Sequence, residues 1–179
     1  MKNRFLSFVF VSLIAAPTFA QDVADLPEAD PADVESVDAL IAAVYDVISG
    51  PAGEKRDWDR FRSLFRSEAR LIPAGVDPGG EFGLRFWGVE DYISQAGAFL
   101  EERGFFESEI HRVQEEYGNI VHLFSTYDSR WKEDDPEPFT RGINSFQLVN
   151  DGSRWWVVNI FWQGESENAS IPEKYLPQG

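Results

Sequence analysis

His111 and His122 are the only histidines in the chain, so any imidazole acid–base chemistry near neutral pH has to use one of them. A two-residue turn at Gly118-Asn119 pairs Tyr117 with Ile120 and, stepping outward, sets His111 opposite Thr126 and Glu115 opposite His122. Both histidines then share one sheet face with Phe124, Thr126 and Asp128. In this register His111 is the diagonal neighbour of Asp128, the geometry in which a carboxylate orients a general base; His122 lies further along the strand as a second candidate. The competing reading is a pair of histidines that are simply hydrogen-bonded within a sheet, the commoner fate of polar residues there.

Asn144 and Asn159 are the second candidates. They lie in two runs rich in aromatic and β-branched residues, Phe139–Val149 and Arg154–Gln163, around Asn150-Asp151-Gly152-Ser153, and Asp-Gly in such a setting is a strong hairpin signal. With Asp151-Gly152 as the loop, Leu148 faces Trp155, Phe146 faces Val157 and Asn144 faces Asn159, all on one side of the sheet. A buried amide without a partner costs about 1 to 3 kcal/mol, so the two amides satisfy each other or orient a ligand. In the second case they form a pocket floor, with aromatic walls that include Trp58, Tyr92, Phe146 and Tyr45. The opposite face, with Ile143, Trp156, Val158, Ile160 and Trp162, is equally apolar, which predicts a homodimer through the outer sheet surface.

These side chains need a scaffold. Val37, Leu40, Ile41, Val44, Tyr45 and Ile48 recur at helical spacing, with Ser36 or Asp33 as cap and Gly50-Pro51 as stop. Asp57 caps a second, short helix with Trp58, Phe61, Leu64 and Phe65 on its apolar stripe. Ala69–Pro73 reads as a strand, residues 74–83 as a Gly-rich loop, Leu84–Trp87 as a short strand, and Val89–Glu102 as a third helix ended by Gly104. Four long strands follow. Helices grouped before a run of antiparallel strands predict an α+β domain, a cone-shaped curved antiparallel sheet packed on three helices from the N-terminal half, with an open mouth suited to a small ligand.

Met1–Ala20 carries the parts of a secretory signal: basic Lys2 and Arg4, an apolar run from Phe5 to Ala16, and small residues before a cut expected after Ala20. The expected organisation is a signal peptide at 1–20, a flexible acidic leader at 21–33, one domain at 34–165 and an irregular tail at 166–179, in a periplasmic or secreted protein. The apolar run is too short for a membrane span, so no membrane association is expected after cleavage. With no cysteine, a packed core rather than disulfides must hold the fold. The formal charge of -15 argues against nucleic acid as a partner, because phosphate binding needs clustered Lys and Arg. No phosphate loop, dinucleotide fingerprint, Gly-x-Ser-x-Gly or zinc spacing occurs, so neither cofactor nor metal is expected.

Asp57-Trp58-Asp59 leading to Leu64-Phe65, Gly88-Val89-Glu90 opening the third helix, Gly118-Asn119-Ile120-Val121 starting a long strand, and Asp151-Gly152 followed by Arg154-Trp155-Trp156 together resemble the nuclear-transport-factor-2-like superfamily, in particular its SnoaL-like bacterial members. The resemblance covers about Val34 to Gln163. It implies the cone fold and dimerisation through the outer sheet surface, but no single activity, because this fold hosts isomerases, dehydratases, cyclases, binding proteins and dimerisation modules. Ketosteroid isomerase, a related fold, pairs a Tyr and a protonated Asp with an Asp base, and Tyr45, Glu68 and Asp128 echo those roles loosely. The resulting expectation is an exported domain binding a small apolar molecule. Its rivals are an enzyme of the SnoaL-like or ketosteroid-isomerase-like type, working by proton transfer, dehydration or cyclisation, and a non-catalytic dimerisation scaffold.

Overall fold

The structure is a computed structural model that describes residues 26–77 and 79–177; the expected signal peptide and residues 21–25 of the expected leader lie outside them. A short turn of helix, α1 (Pro31–Val34), precedes α2 (Val37–Ile48), whose N-terminus is capped by the Ser36 hydroxyl accepting from the Ala39 N–H. α3 (Trp58–Ser63) is capped by Asp57, and α4 (Val89–Arg103) ends at Gly104, whose φ of 76° lies in the region that favours glycine. These helices pack on one face of a curved six-stranded sheet: β1 (Phe65–Val76), β2 (Phe82–Leu84), β3 (Phe106–Tyr117), β4 (Ile120–Arg130), β5 (Thr140–Asn150) and β6 (Trp155–Gly164). The sheet order is β2-β1-β6-β5-β4-β3, antiparallel except where β1 runs parallel to β6. The α+β architecture is therefore as the sequence implies, with β1 starting earlier and β2 lying closer to the preceding loop than expected.

The core lies between the helices and the concave sheet face. Leu40, Ile41, Val44 and Tyr45 of α2 bury against Leu123, Phe146, Leu148 and Val157, while Phe61 packs between Phe65 and Tyr92. Buried Arg56 closes the helix layer, donating to the carbonyls of Ile48, Gly50 and Leu100 and so tying the end of α2 to the end of α4. Trp58, expected as a pocket wall, belongs to this layer instead. Its indole N–H donates to Glu101 at 3.0 Å and its ring meets Phe61 edge-on.

Two β-bulges decide which residues face the core. β3 pairs with β4 in the expected register from Tyr117↔Ile120 to His111↔Thr126, but the register then shifts, and Glu109 faces Tyr127 with Ile110 as the extra residue. Because side chains alternate with period two, one extra residue exchanges the faces of everything before it. Glu107 and Glu109 turn to the concave side, and His111 stays on the convex side.

The β5–β6 hairpin departs further from expectation. Its loop is Asp151–Arg154, so Asn150 faces Trp155. The Asp151 carboxylate accepts from the backbone N–H groups of Ser153 and Arg154 and from the Trp156 indole, and these bonds outweigh burial to hold its carboxyl below the ordinary range. The longer loop moves the register by an even step and keeps the faces. The second bulge, at Val158 between Leu148↔Val157 and Gln147↔Asn159, then reverses them. Asn144 accordingly faces Trp162, and Asn159 faces Gln147 on the convex side: the opposed amide pair does not form. Ile160 and Trp162, expected on an outer dimer face, point inward, and Trp156 is covered by the Arg154 guanidinium 3.6 Å above its ring.

Residues 166–177 beyond β6 pack against the sheet. Glu165 pairs with Arg141 and accepts from the Ile171 N–H, Tyr175 stacks on Phe124, and the Thr126 hydroxyl donates to the Tyr175 carbonyl at 2.6 Å. Part of the convex face is thus covered by the chain itself.

Candidate functional site

Inside the cone is a cavity of about 120 Å³ walled by Tyr92, Tyr127, Phe146, Ile160 and Trp162, with Tyr45, Glu107 and Asn144 as its polar members. A larger groove of about 500 Å³ opens beside it between α2 and the start of β3. Tyr45 and Glu107 line both spaces and form the wall between them. Each polar group is placed by a regular element: Tyr45 by the apolar stripe of α2, Asn144 by the alternation of β5, and Glu107 by the β3 bulge.

Glu107 is the centre of this wall. As a whole the residue is partly exposed on its groove side, but its carboxyl group is enclosed. The Ser129 hydroxyl donates to Oε2 at 2.8 Å and the Asn144 amide approaches Oε1 at 3.4 Å. Burial disfavours the charged form and, with the nearby Asp128 charge, pushes the carboxyl up to about 7 against the opposing pull of those two hydrogen bonds. The same burial raises Tyr45, Tyr92 and Tyr127, each further raised by the Glu107 charge, so all three hydroxyls stay protonated at physiological pH.

A directed set of hydrogen bonds leads away from Glu107. Asn144 Nδ2 donates to the Tyr45 hydroxyl at 3.0 Å, an amide orientation that suits an ionised Glu107, since the reverse would aim the amide oxygen at its carboxylate. The Tyr45 hydroxyl lies 2.6 Å from Ser125 Oγ, and Ser125 donates to Glu109 Oε2. Glu109 pairs with Arg112 at 2.7 Å, and Arg112 reaches on to Asp38 at 2.5 Å. Since Ser125 has one proton and gives it to a carboxylate, Tyr45 must donate to Ser125.

Of the residues singled out from sequence, Tyr45, Tyr92, Phe146 and Asn144 meet in the cavity, while Trp58 and Asn159 do not. His111, His122 and Asp128 lie on the convex face, across the sheet from it. His122 Nε2 is 3.2 Å from Ser145 Oγ and its ring meets Phe124 edge-on, while Asp128 pairs with Arg130 at 2.5 Å. His122 instead borders a hollow on the convex face with Glu115, Tyr117 and Gln147, and neither histidine lines the cavity inside the cone. Glu107, Glu109 and Ser125 were missed, and their only sequence signal was a row of carboxylates and hydroxyls on two paired strands, unreadable without the bulge. Glu68 is fully exposed on β1 and takes no part. Among the described residues no cluster of His, Cys, Asp and Glu is suited to a metal ion.

This architecture recurs in solved structures. A Nostoc punctiforme protein with a cystatin-like fold superposes with a TM-score of 0.56 at 12% identity, over 73% of this chain and 90% of its own. An NTF-2 like protein from Silicibacter pomeroyi gives 0.51 at 14% identity over 73% and 94%, and a Kribbella flavida protein 0.51 at 14% over 73% and 89%. The fold is that of the nuclear-transport-factor-2-like proteins. No family model matches this sequence, and comparison with curated proteins finds no significant match.

Proposed function

We propose that the protein binds a small, largely apolar molecule inside the cone, with its one polar group held at the wall formed by Glu107, Asn144 and Tyr45. The observation that carries this reading is a carboxyl group enclosed at the edge of an aromatic hollow. A charge-bearing group in such a place costs free energy, and a sparse polar set in an apolar cavity is how ligand sites fix orientation. The cavity's 120 Å³ approaches the roughly 150 Å³ that accepts benzene in an apolar protein interior. The direct test is calorimetry and thermal shift with benzene-sized neutral probes such as benzyl alcohol, phenol and cyclohexanone. At least one should give saturable binding that Phe146→Trp, which fills the hollow, abolishes. No saturable binding by any of them would leave the cone as a packed scaffold.

A proton-transfer enzyme is the second reading, favoured by one observation: the Glu107 carboxyl, held near 7, is poised to take and return a proton near neutral pH. In that reading Glu107 is the base, and the Tyr92 and Tyr127 hydroxyls in the same cavity are donors toward a carbonyl oxygen. Exchange of the α-protons of cyclohexanone in deuterated buffer, faster with the protein and lost in Glu107→Gln, is the expected result. Exchange at the buffer rate removes this reading and leaves binding alone.

A further inference from the structure

Resting on the cone as a ligand site, the inference concerns which polar group that ligand carries. At the wall shared by cavity and groove the hydrogens are already committed. Asn144 gives its amide protons to Tyr45 and Glu107, Ser129 gives its hydroxyl proton to Glu107, Tyr45 gives its own to Ser125, and Ser125 gives its own to Glu109. Once Glu107 is ionised, the groups that face both spaces, the Glu107 carboxylate and the Tyr45 oxygen, offer lone pairs and no proton. With Glu107 ionised, the hydrogens of a contact at this wall must come from outside it.

Charge points the same way. The groove carries Asp38, Asp46, Glu107, Glu109 and Glu133 against two cations, Arg112 and Arg130. Both arginines are engaged: Arg112 with Asp38 and Glu109, Arg130 with Asp128 and the Asp135 carbonyl. A carboxylate or phosphate entering here would meet repulsion at the mouth and a wall without donors. A cation would meet attraction in both places.

We infer that the ligand is a primary or secondary amine bound as its ammonium ion, its N–H groups directed at Glu107 and the Tyr45 oxygen and its apolar body in the cone. The ammonium supplies the donors that this wall lacks and the charge that offsets an ionised Glu107. It also predicts a proton balance. In the free protein burial and the nearby Asp128 charge favour the protonated form of Glu107, with Tyr45, Tyr92 and Tyr127 beside it as neutral groups and Arg112 and Arg130 spent on other carboxylates. An ammonium ion at the carboxyl reverses that preference, so binding near pH 7 expels the Glu107 proton to solvent.

Benzylammonium, benzyl alcohol and benzoate share a ring and differ in the group presented to the wall. Calorimetry at pH 7.5 should give benzylammonium at least about tenfold tighter binding than benzyl alcohol and no binding of benzoate, an energy difference of about 1.4 kcal/mol. Titrations at pH 7 in phosphate and in Tris, whose ionisation heats differ, should show net proton release by the wild-type protein with benzylammonium and none with the alcohol. In Glu107→Gln the ratio of ammonium to alcohol affinity should fall to about one. Equal or tighter binding of alcohol or benzoate, or no proton release, overturns the amine assignment and leaves the pocket standing; failure of all three probes to bind overturns the pocket and the amine together. The proton measurement needs no variant, so a misfolded Glu107→Gln does not shield the inference.

Discussion

Glu107 and His111 are four residues apart on the same strand, an even spacing that should put them on one face, yet the sheet lies between them. Glu107 looks into the cone, enclosed, bonded to Ser129 and Asn144 and pushed up to about 7. His111 looks out across from Thr126, on a face that the chain's own tail partly covers. The difference is one inserted residue, Ile110. It teaches that in a curved sheet the chemistry of a side chain is decided by the parity of the strand beneath it as much as by its type.

The harshest way to break the contrast is to remove the insertion. Deleting Ile110 restores strict alternation and sends either Glu107 and Glu109 outward or the following half of β3 inward, losing Ser125–Glu109 and Ser129–Glu107 in the first case and burying His111 in the second. A cost of about 4 kcal/mol or more is expected in urea denaturation, at the extreme of single-site changes, whereas Ile110→Ala, which keeps the bulge, should cost about 1 kcal/mol. Equal stability of the two variants would mean that something other than the bulge fixes the faces.

Glu107→Gln sharpens the inner half of the comparison through pH. The folded-state carboxyl is raised from 4.5 to about 7, so below about 4.5 folded and unfolded chains both hold the proton and the full stability is present. As pH rises from there to 7 the unfolded chain ionises first and stability is lost; above 7 the loss is complete, at about 3 kcal/mol from this group. Glutamine does not titrate. The variant should therefore gain about 3 kcal/mol relative to wild type between pH 4 and pH 8, measured by urea denaturation at each pH. Parallel curves would show that the Glu107 carboxyl is not dehydrated.

The two hairpins show how far sequence alone can reach. Helix caps, apolar stripes and the Gly118-Asn119 turn are local, and they placed α2, α3, α4 and the β3–β4 register from Tyr117 to His111 correctly. Periodicity within single elements put Tyr45 on the α2 stripe, Tyr92 on the α4 stripe and Phe146 with Asn144 on one face of β5, but left open which sheet face lines the cone. The Asp151 turn failed because a carboxylate that accepts from Ser153, Arg154 and Trp156 stabilises a longer loop than the Asp-Gly pair alone suggests. Neither bulge has a local signal: Ile110 and Val158 are ordinary strand residues, and only their pairing with β4 and β5 shows them out of step. That is why Glu107 was passed over for His111, and why Ile160 and Trp162 were placed on the wrong face.

The outer half of the comparison predicts small effects. His122→Ala removes the contact to Ser145 and the edge-on packing against Phe124, and should cost about 1 kcal/mol. His111→Ala, half-buried opposite Thr126, should cost no more. Both variants should keep the wild-type difference in stability between pH 4 and pH 8 that is assigned to Glu107, and should bind benzyl alcohol within about twofold of wild type. The sheet is the reason: neither ring reaches the cavity, and no hydrogen bond runs from either to Tyr45, Asn144 or Glu107 among the described residues. A tenfold loss of alcohol affinity in either variant would place a histidine at the ligand after all, and the two faces of β3 would have to exchange roles.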